Sequence, residues 1–253
     1  MQWFEKEEFW LNYGPIMFDE QRWAESADVA ERVLEVVGKT SDSPKILDAG
    51  CGPGRISVEL ALQDADVTGV DIIQPFLDAA SEMAEDEGVS LKLLNADLRN
   101  LCSAHPEMKK NFDAAVNLYT SFGYCETEEE DTLILKNIFE SLKDGGVFIM
   151  EATSRESAIK YFTEGEWFER AGKTVLTEFS VEGAWEGLKS KWILIDQKTG
   201  ERTEHCFVQR LYSAAELCKT LRKIGFKSTE VRGGFDGERY DQNLKTMVIV
   251  ARK

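Results

Sequence analysis

The chain has 253 residues, 43% of them hydrophobic and 10% aromatic, a length that suits one large α/β domain, or a domain with an insertion, around a sizeable core. Its formal net charge of −16 argues against a nucleic-acid partner, because a phosphate backbone is gripped by a basic stripe. No apolar run reaches the roughly 20 residues of a membrane helix, and Glu5, Glu7 and Glu8 stand where a signal peptide carries basic residues.

Helical patterning runs from the N-terminus to about Lys39 and opens with six aromatics within residues 3–18. PKILDAG (44–50) reads as a short apolar strand, followed by a helix from about Gly54 through RISVELALQ. ADVTGVD (65–71) is the next strand. Gln74 and Pro75 then open a helix whose apolar stripe is Phe76, Ala79, Ala80, Met83 and Ala84. VSLKLLNAD (89–97) and FDAAVNLY (112–119) are two more strands, separated by a loop around His105–Pro106. Thr127 and Glu130 have capping-box spacing, and the helix they start sets Leu135, Ile138, Phe139 and Leu142 on one face. DGGVFIME (144–151) gives a turn and a fifth strand. This alternation predicts an α/β fold with a doubly wound, mostly parallel sheet.

After Glu151 the pattern changes. Residues 155–170 read as helical and aromatic-rich, and 173–183, 185–197 and 201–212 as three successive strands. A helix over Ser213–Ile224 and a terminal strand pair close the chain. The expected organisation is one domain over 1–253: an N-terminal helical lid (1–40), a core (41–151), an antiparallel cap (152–212) and a closing segment (213–253). Five scattered cysteines with no CxxC pair, and only two histidines, predict reduced thiols in a cytoplasmic protein with no metal site.

LDAGCGPGR (47–55) is the most informative stretch. Gly50, Gly52 and Gly54 lie between a strand and a helix, where a missing Cβ permits a tight bend and close approach of a ligand. Asp71 ends the next strand about 20 residues on, where a carboxylate accepts from both ribose hydroxyls of an adenosine. A plain strand-to-helix turn is the competing reading of the glycines, and Asp48, Asp71 and Asp97 together count against it. Asp48 also separates two cofactor classes. A pyrophosphate is disfavoured beside a carboxylate at a helix N-terminus, whereas a cationic amine or sulfonium is favoured.

ILDAGCGPGR, VTGVD, NADL, FDAAVNLYTSFGY and LKDGGVFIME resemble the successive motifs of the class I S-adenosylmethionine-dependent methyltransferases over roughly residues 44–151. The resemblance implies a seven-stranded sheet whose last strand is antiparallel, with S-adenosylmethionine as cofactor and S-adenosylhomocysteine as product. It implies that Gly50, Cys51, Gly52 and Gly54 line the methionine and ribose, and that Asp71 holds the ribose with Ile72 against adenine. Asp97 and Leu98 would meet the adenine edge, and Asn117 and Leu118 would lie beside the sulfonium.

NLYTSFGY (117–124) would then lie next to the methyl group. Methyl transfer is an in-line displacement that needs alignment and exclusion of water more than a general base. Tyr119 and Tyr124 are candidates for orienting the acceptor, with core packing as the alternative for both. The aromatic N-terminal stretch resembles the lid of small-molecule N-methyltransferases acting on glycine, sarcosine or amino sugars. By that resemblance Tyr13 and Arg22 reach the cofactor. In the cap, Trp192, Arg210 and Tyr212 are candidates for the acceptor, or else core and ion-pair residues. The expected function is methyl transfer to a small-molecule amine or hydroxyl by a monomer or homodimer. A protein or RNA methyltransferase and a non-catalytic cofactor binder are the alternatives.

Overall fold

The computed structural model describes residues 2–18, 20–38, 41–241 and 243–253. A 3-10 turn at Trp3–Glu5 precedes the helices α1 (Glu7–Met17), α2 (Glu20–Ala24) and α3 (Ser26–Val37). The predicted lid boundary at residue 40 falls on Lys39 and Thr40, outside the described residues. The core then alternates β1 (Lys45–Ala49), α4 (Arg55–Leu62), β2 (Asp66–Asp71), α5 (Gln74–Asp86), β3 (Lys92–Asn95) and α6 (Leu101–Ala104). It continues with β4 (Phe112–Asn117), α7 (Glu128–Ser141) and β5 (Leu142–Ala152). Local signals set several of these boundaries. Pro75 occupies the first turn of α5, and at α7 the Thr127 hydroxyl accepts from the Glu130 N–H while the Glu130 carboxylate accepts from the Thr127 N–H, both at 3.2 Å.

The stretch 155–170 corrects the helical expectation. Helix α8 covers only Arg155–Lys160, and Gly165–Arg170 is strand β6. Trp167 pairs with Leu176 and Phe168 with Val175 across to the next strand, β7 (Lys173–Glu182). Cross-strand partners, which a local pattern cannot reveal, override the helical one. With β8 (Gly187–Asp196) and β9 (Arg202–Arg210) these form an antiparallel four-stranded sheet in the order β6-β7-β8-β9, one strand more than expected. Helix α9 (Ala214–Ile224) and strands β10 (Ser228–Arg232) and β11 (Met247–Arg252) complete the chain.

The main sheet has seven strands in the order β10-β11-β5-β4-β1-β2-β3. β11 runs antiparallel to both of its neighbours, and the pairs among β1 to β5 are parallel. Neighbouring residues alternate between two buried faces: Leu47, Ala115 and Phe148 enter one core, while Ile46, Ala114 and Ile149 enter the other. Both faces being covered explains why these strands read as continuous apolar runs rather than alternating ones.

Chain order reverses on either side of β1, which lies between β4 and β2. Such a reversal leaves a crevice at the carboxyl ends of the strands. Over that edge the cap packs on α1, where Ile16 is buried against Val175 and Leu194.

Candidate active site

The chain leaves β1 at Ala49 and turns through Gly50, whose φ of 82° favours glycine. A Cβ on Gly50 would lie 3.2 Å from the Ser121 Cβ, so the absent side chain also lets the loop after β4 close in. The N–H groups of Gly50 and Cys51 both donate to the Val70 carbonyl, at 2.8 and 3.1 Å, tying the loop to the end of β2. There Asp71 accepts from the Gly52 and Ile73 N–H groups, each at 2.9 Å. One carboxylate thus staples the glycine loop to the following turn and keeps lone pairs for a further donor. Its burial raises its pKa, against the lowering effect of those backbone N–H groups.

Asp48 is 4% exposed and accepts from the Ser57 hydroxyl at 2.7 Å. Burial outweighs that hydrogen bond and lifts its pKa to about 6. Burial raises the Cys51 thiol well above its ordinary value, so this cysteine contributes backbone and volume rather than a thiolate.

Asp48, Gly50, Cys51, Gly52, Asp71 and Ile72 line one cavity. Asp97, Leu98, Leu118, Tyr119 and Tyr124 line the same cavity from the ends of β3 and β4. Eleven of the residues singled out in the sequence therefore meet in one place. Asp97 is held by Arg99, whose Nε and Nη2 donate to its carboxylate at 2.6 to 3.0 Å. The same guanidinium reaches Glu5 at 2.6 Å and Glu130 at 3.1 Å, joining the N-terminal turn to α7 at the cavity rim.

The other predicted residues lie elsewhere. Gly54 adopts φ 81° at the start of α4, and a Cβ there would come within 2.5 Å of the Ala80 Cβ, so this glycine lets α4 approach α5. Asn117 is fully buried behind the lining, where its amide donates to the Ala49 carbonyl at 2.7 Å. Tyr13 is buried against Phe9, 4.8 Å between ring centroids, and against Trp192, 4.4 Å. Trp192 packs on Phe168 as well, as part of the cap's contact with α1. Arg22 pairs with Glu25 at 3.0 Å and stands 5.0 Å from the Tyr119 ring. Arg210 and Tyr212 both bond to Asp131, a fully buried carboxylate at the start of α7. These contacts match the ion-pair alternative for Arg210: a buried carboxylate needs compensating donors, and these two provide them.

Several lining residues carried no signal of their own in the sequence. Phe4, Trp10, Phe18 and Phe76 line the cavity too, and a Cβ on Gly52 would lie 3.6 Å from the Phe18 ring. Arg55, directly after the last glycine, is 5% exposed; its guanidinium donates to the Ser26 hydroxyl at 2.7 Å and lies 3.9 Å from the Tyr119 ring centroid. Only the aromatic density of residues 3–18 hinted at this cover.

The donor set fits a cationic nucleoside: a glycine cradle that a Cβ would fill, a carboxylate at the second strand end and a buried carboxylate beneath the loop. The sheet order is that of the Rossmann-like methyltransferase fold, and the chain is an S-adenosylmethionine-dependent methyltransferase. Residues 46–146 match the family described as "Methyltransferase domain". The chain is 25% identical over 228 residues to the cypemycin N-terminal methyltransferase of a Streptomyces species, covering 84% of each protein. In fold it is similar to an S-adenosylmethionine-dependent methyltransferase from Clostridium acetobutylicum, with TM-score 0.79, 17% identity and coverage of 96% of this chain and 98% of the other. It is also similar to S-adenosylmethionine-bound CalS10, an amino pentose methyltransferase from Micromonospora echinaspora, with TM-score 0.64, 21% identity and 91% of each chain.

Proposed function

We propose that this enzyme methylates a small-molecule amine or hydroxyl whose non-reacting part is apolar, bound under the aromatic cover of Phe4, Trp10, Phe18 and Phe76. S-adenosylmethionine supplies a methyl group activated on a sulfonium. Asp71 would hold the ribose hydroxyls beside Gly50, Cys51 and Gly52, and Ile72, Asp97 and Leu98 would border the adenine. Asp48 would balance the cofactor's positive charge through the loop, as a buried carboxylate favours a nearby cation. Leu118 would pack near the sulfonium, and Tyr119 and Tyr124 would orient the acceptor. Asn117 and Gly54 would act from behind, by holding the strand end and the helix.

The observation that carries the acceptor class is the state of the cations in the lining. Arg99 is held by three carboxylates and Arg55 by Ser26 and the Tyr119 face. An acceptor bearing phosphates would have to break these pairings inside a chain of net charge −16. Aromatic walls instead suit a ring or an ammonium group before it loses its proton. A second reading, methylation of a peptide N-terminus, draws on the likeness to the cypemycin enzyme.

Calorimetry with S-adenosylmethionine tests the site: Asp71→Ala is expected to weaken binding at least ~10-fold, as loss of charge-assisted hydrogen bonds predicts. Unchanged affinity would sink the assignment. Incubation with labelled cofactor and a metabolite extract, followed by mass spectrometry, identifies the acceptor. Label found only in peptides would favour the second reading.

A further inference from the structure

Two consecutive non-glycine residues at the cavity wall, Tyr119 and Thr120, have φ of 54° and 62°. The left-handed region costs an L-residue energy through its Cβ, most for a β-branched one such as Thr120. Such a conformation persists only where its surroundings over-determine it. The Ser121 N–H and hydroxyl close this turn on the Leu118 carbonyl, at 3.4 and 2.9 Å, and one residue on the neighbouring strand adds the remaining constraint. The Tyr119 N–H donates to Glu151 Oε2 at 2.5 Å, and the Thr120 N–H donates to the Glu151 carbonyl at 3.2 Å. Glu151 is 6% exposed and is the last but one residue of β5, which pairs with β4 itself. The N–H groups of both left-handed residues therefore donate to a single buried residue at the crevice edge.

We propose that Glu151 is a positioning residue, whose carboxylate and carbonyl hold the Tyr119–Thr120 turn in its left-handed form and so aim Tyr119 into the cavity. A buried carboxylate suits this task because it accepts a short, strong bond from a backbone N–H that would otherwise be orphaned. The Tyr119 ring is then fixed from its other side by Arg55, 3.9 Å from its centroid. Its hydroxyl is buried at the cavity wall, beside the same Arg55 guanidinium. Releasing Glu151 would let the turn relax towards ordinary backbone angles and carry the ring away from Arg55 and from the cavity. That Tyr119 matters to the acceptor rests on the function proposed above; that Glu151 sets its position does not.

The test uses the full chain labelled with 3-fluorotyrosine and followed by fluorine NMR, with the Tyr119 resonance assigned by Tyr119→Phe. Glu151→Leu removes the side-chain acceptor and is expected to abolish the native Tyr119 resonance, while Glu151→Gln, which retains an accepting oxygen, preserves it. Adding Thr120→Gly to Glu151→Leu is expected to restore the native resonance at least in part, because glycine enters the left-handed region freely. An unchanged Tyr119 signal in folded Glu151→Leu overturns the proposal. So does equal loss in both Glu151 variants with no recovery on adding Thr120→Gly, the mark of a general packing role. Should Glu151→Leu fail to fold, Thr120→Gly alone decides: relief of a strained turn raises the melting temperature, and a fall overturns the proposal. Calorimetry of S-adenosylhomocysteine with Asp71→Ala, run alongside, reports separately on the cofactor site.

Discussion

Replacing Asp48 by asparagine sets the stability of the free protein against its affinity for the cofactor. Asp48 titrates at about 6 in the folded chain, against an ordinary value of 3.8, because burial penalises its charge. Between those values the folded chain binds more protons than the unfolded one, so stability falls as pH rises. Above the folded pKa the full penalty applies, about 3 kcal/mol from the difference between the two values. Asparagine removes that penalty and still accepts from the Ser57 hydroxyl, but its amide N–H groups are buried without a partner at a cost of about 1–2 kcal/mol. The net expectation for Asp48→Asn is a gain of about 1–2 kcal/mol at pH 8, a rise in melting temperature of roughly 3–6 °C for a chain of this size. At pH 4, where the native carboxyl is neutral when folded, the variant is expected to be the less stable by about 1 kcal/mol. Scanning calorimetry of the cofactor-free protein at both pH values reads the reversal. Titration at pH 8 should show S-adenosylmethionine bound about 10–100-fold more weakly, the worth of one charge-assisted contact. A melting difference of the same sign and size at pH 4 and pH 8 would refute the account of Asp48 as a destabilising buried carboxylate. Unchanged affinity would refute its role at the cofactor.

Arg210→Met removes the cationic donor of the fully buried Asp131, which keeps the Tyr212 hydroxyl at 2.8 Å and the Cys125 N–H at 3.3 Å. Urea unfolding is expected to show a loss of about 3 kcal/mol; undiminished stability with selective loss of acceptor binding would restore Arg210 to the substrate. Arg99→Met releases Glu5 and Glu130 from a guanidinium that is 17% exposed. It is expected to cost about 1–2 kcal/mol, chiefly as local opening. Hydrogen exchange should therefore accelerate over residues 2–10, and unchanged exchange there would remove Arg99 as the fastening of the N-terminal turn.

The α/β alternation and the glycine loop were legible because their signals are local. A strand, a tight turn and a helix occupy contiguous residues, and the Thr127–Glu130 cap closes within one turn of α7. Asp71 was legible for a related reason: β2 follows directly from the glycine loop's own helix, so its end has to return beside Gly52. Strand β6 was missed because Trp167 and Phe168 are strand residues only by virtue of their partners Leu176 and Val175. Along the chain Arg210 and Tyr212 read equally as acceptor candidates or as core and ion-pair residues, because nothing announces Asp131, 79 and 81 residues away in the sequence.

By itself the sequence determined the sheet class, the glycine loop and the carboxylates at the strand ends, since each depends on bends and periods a few residues long. Only the tertiary structure decided which side chains share the cavity, because that depends on contacts between distant segments. Packing of α1 against the cap sheet seals Tyr13 and Trp192 away from the cavity and leaves Phe4, Trp10 and Phe18 over it. The pairing of β4 with β5 puts Glu151 where it can hold the turn at Tyr119, a bond across 32 residues of chain.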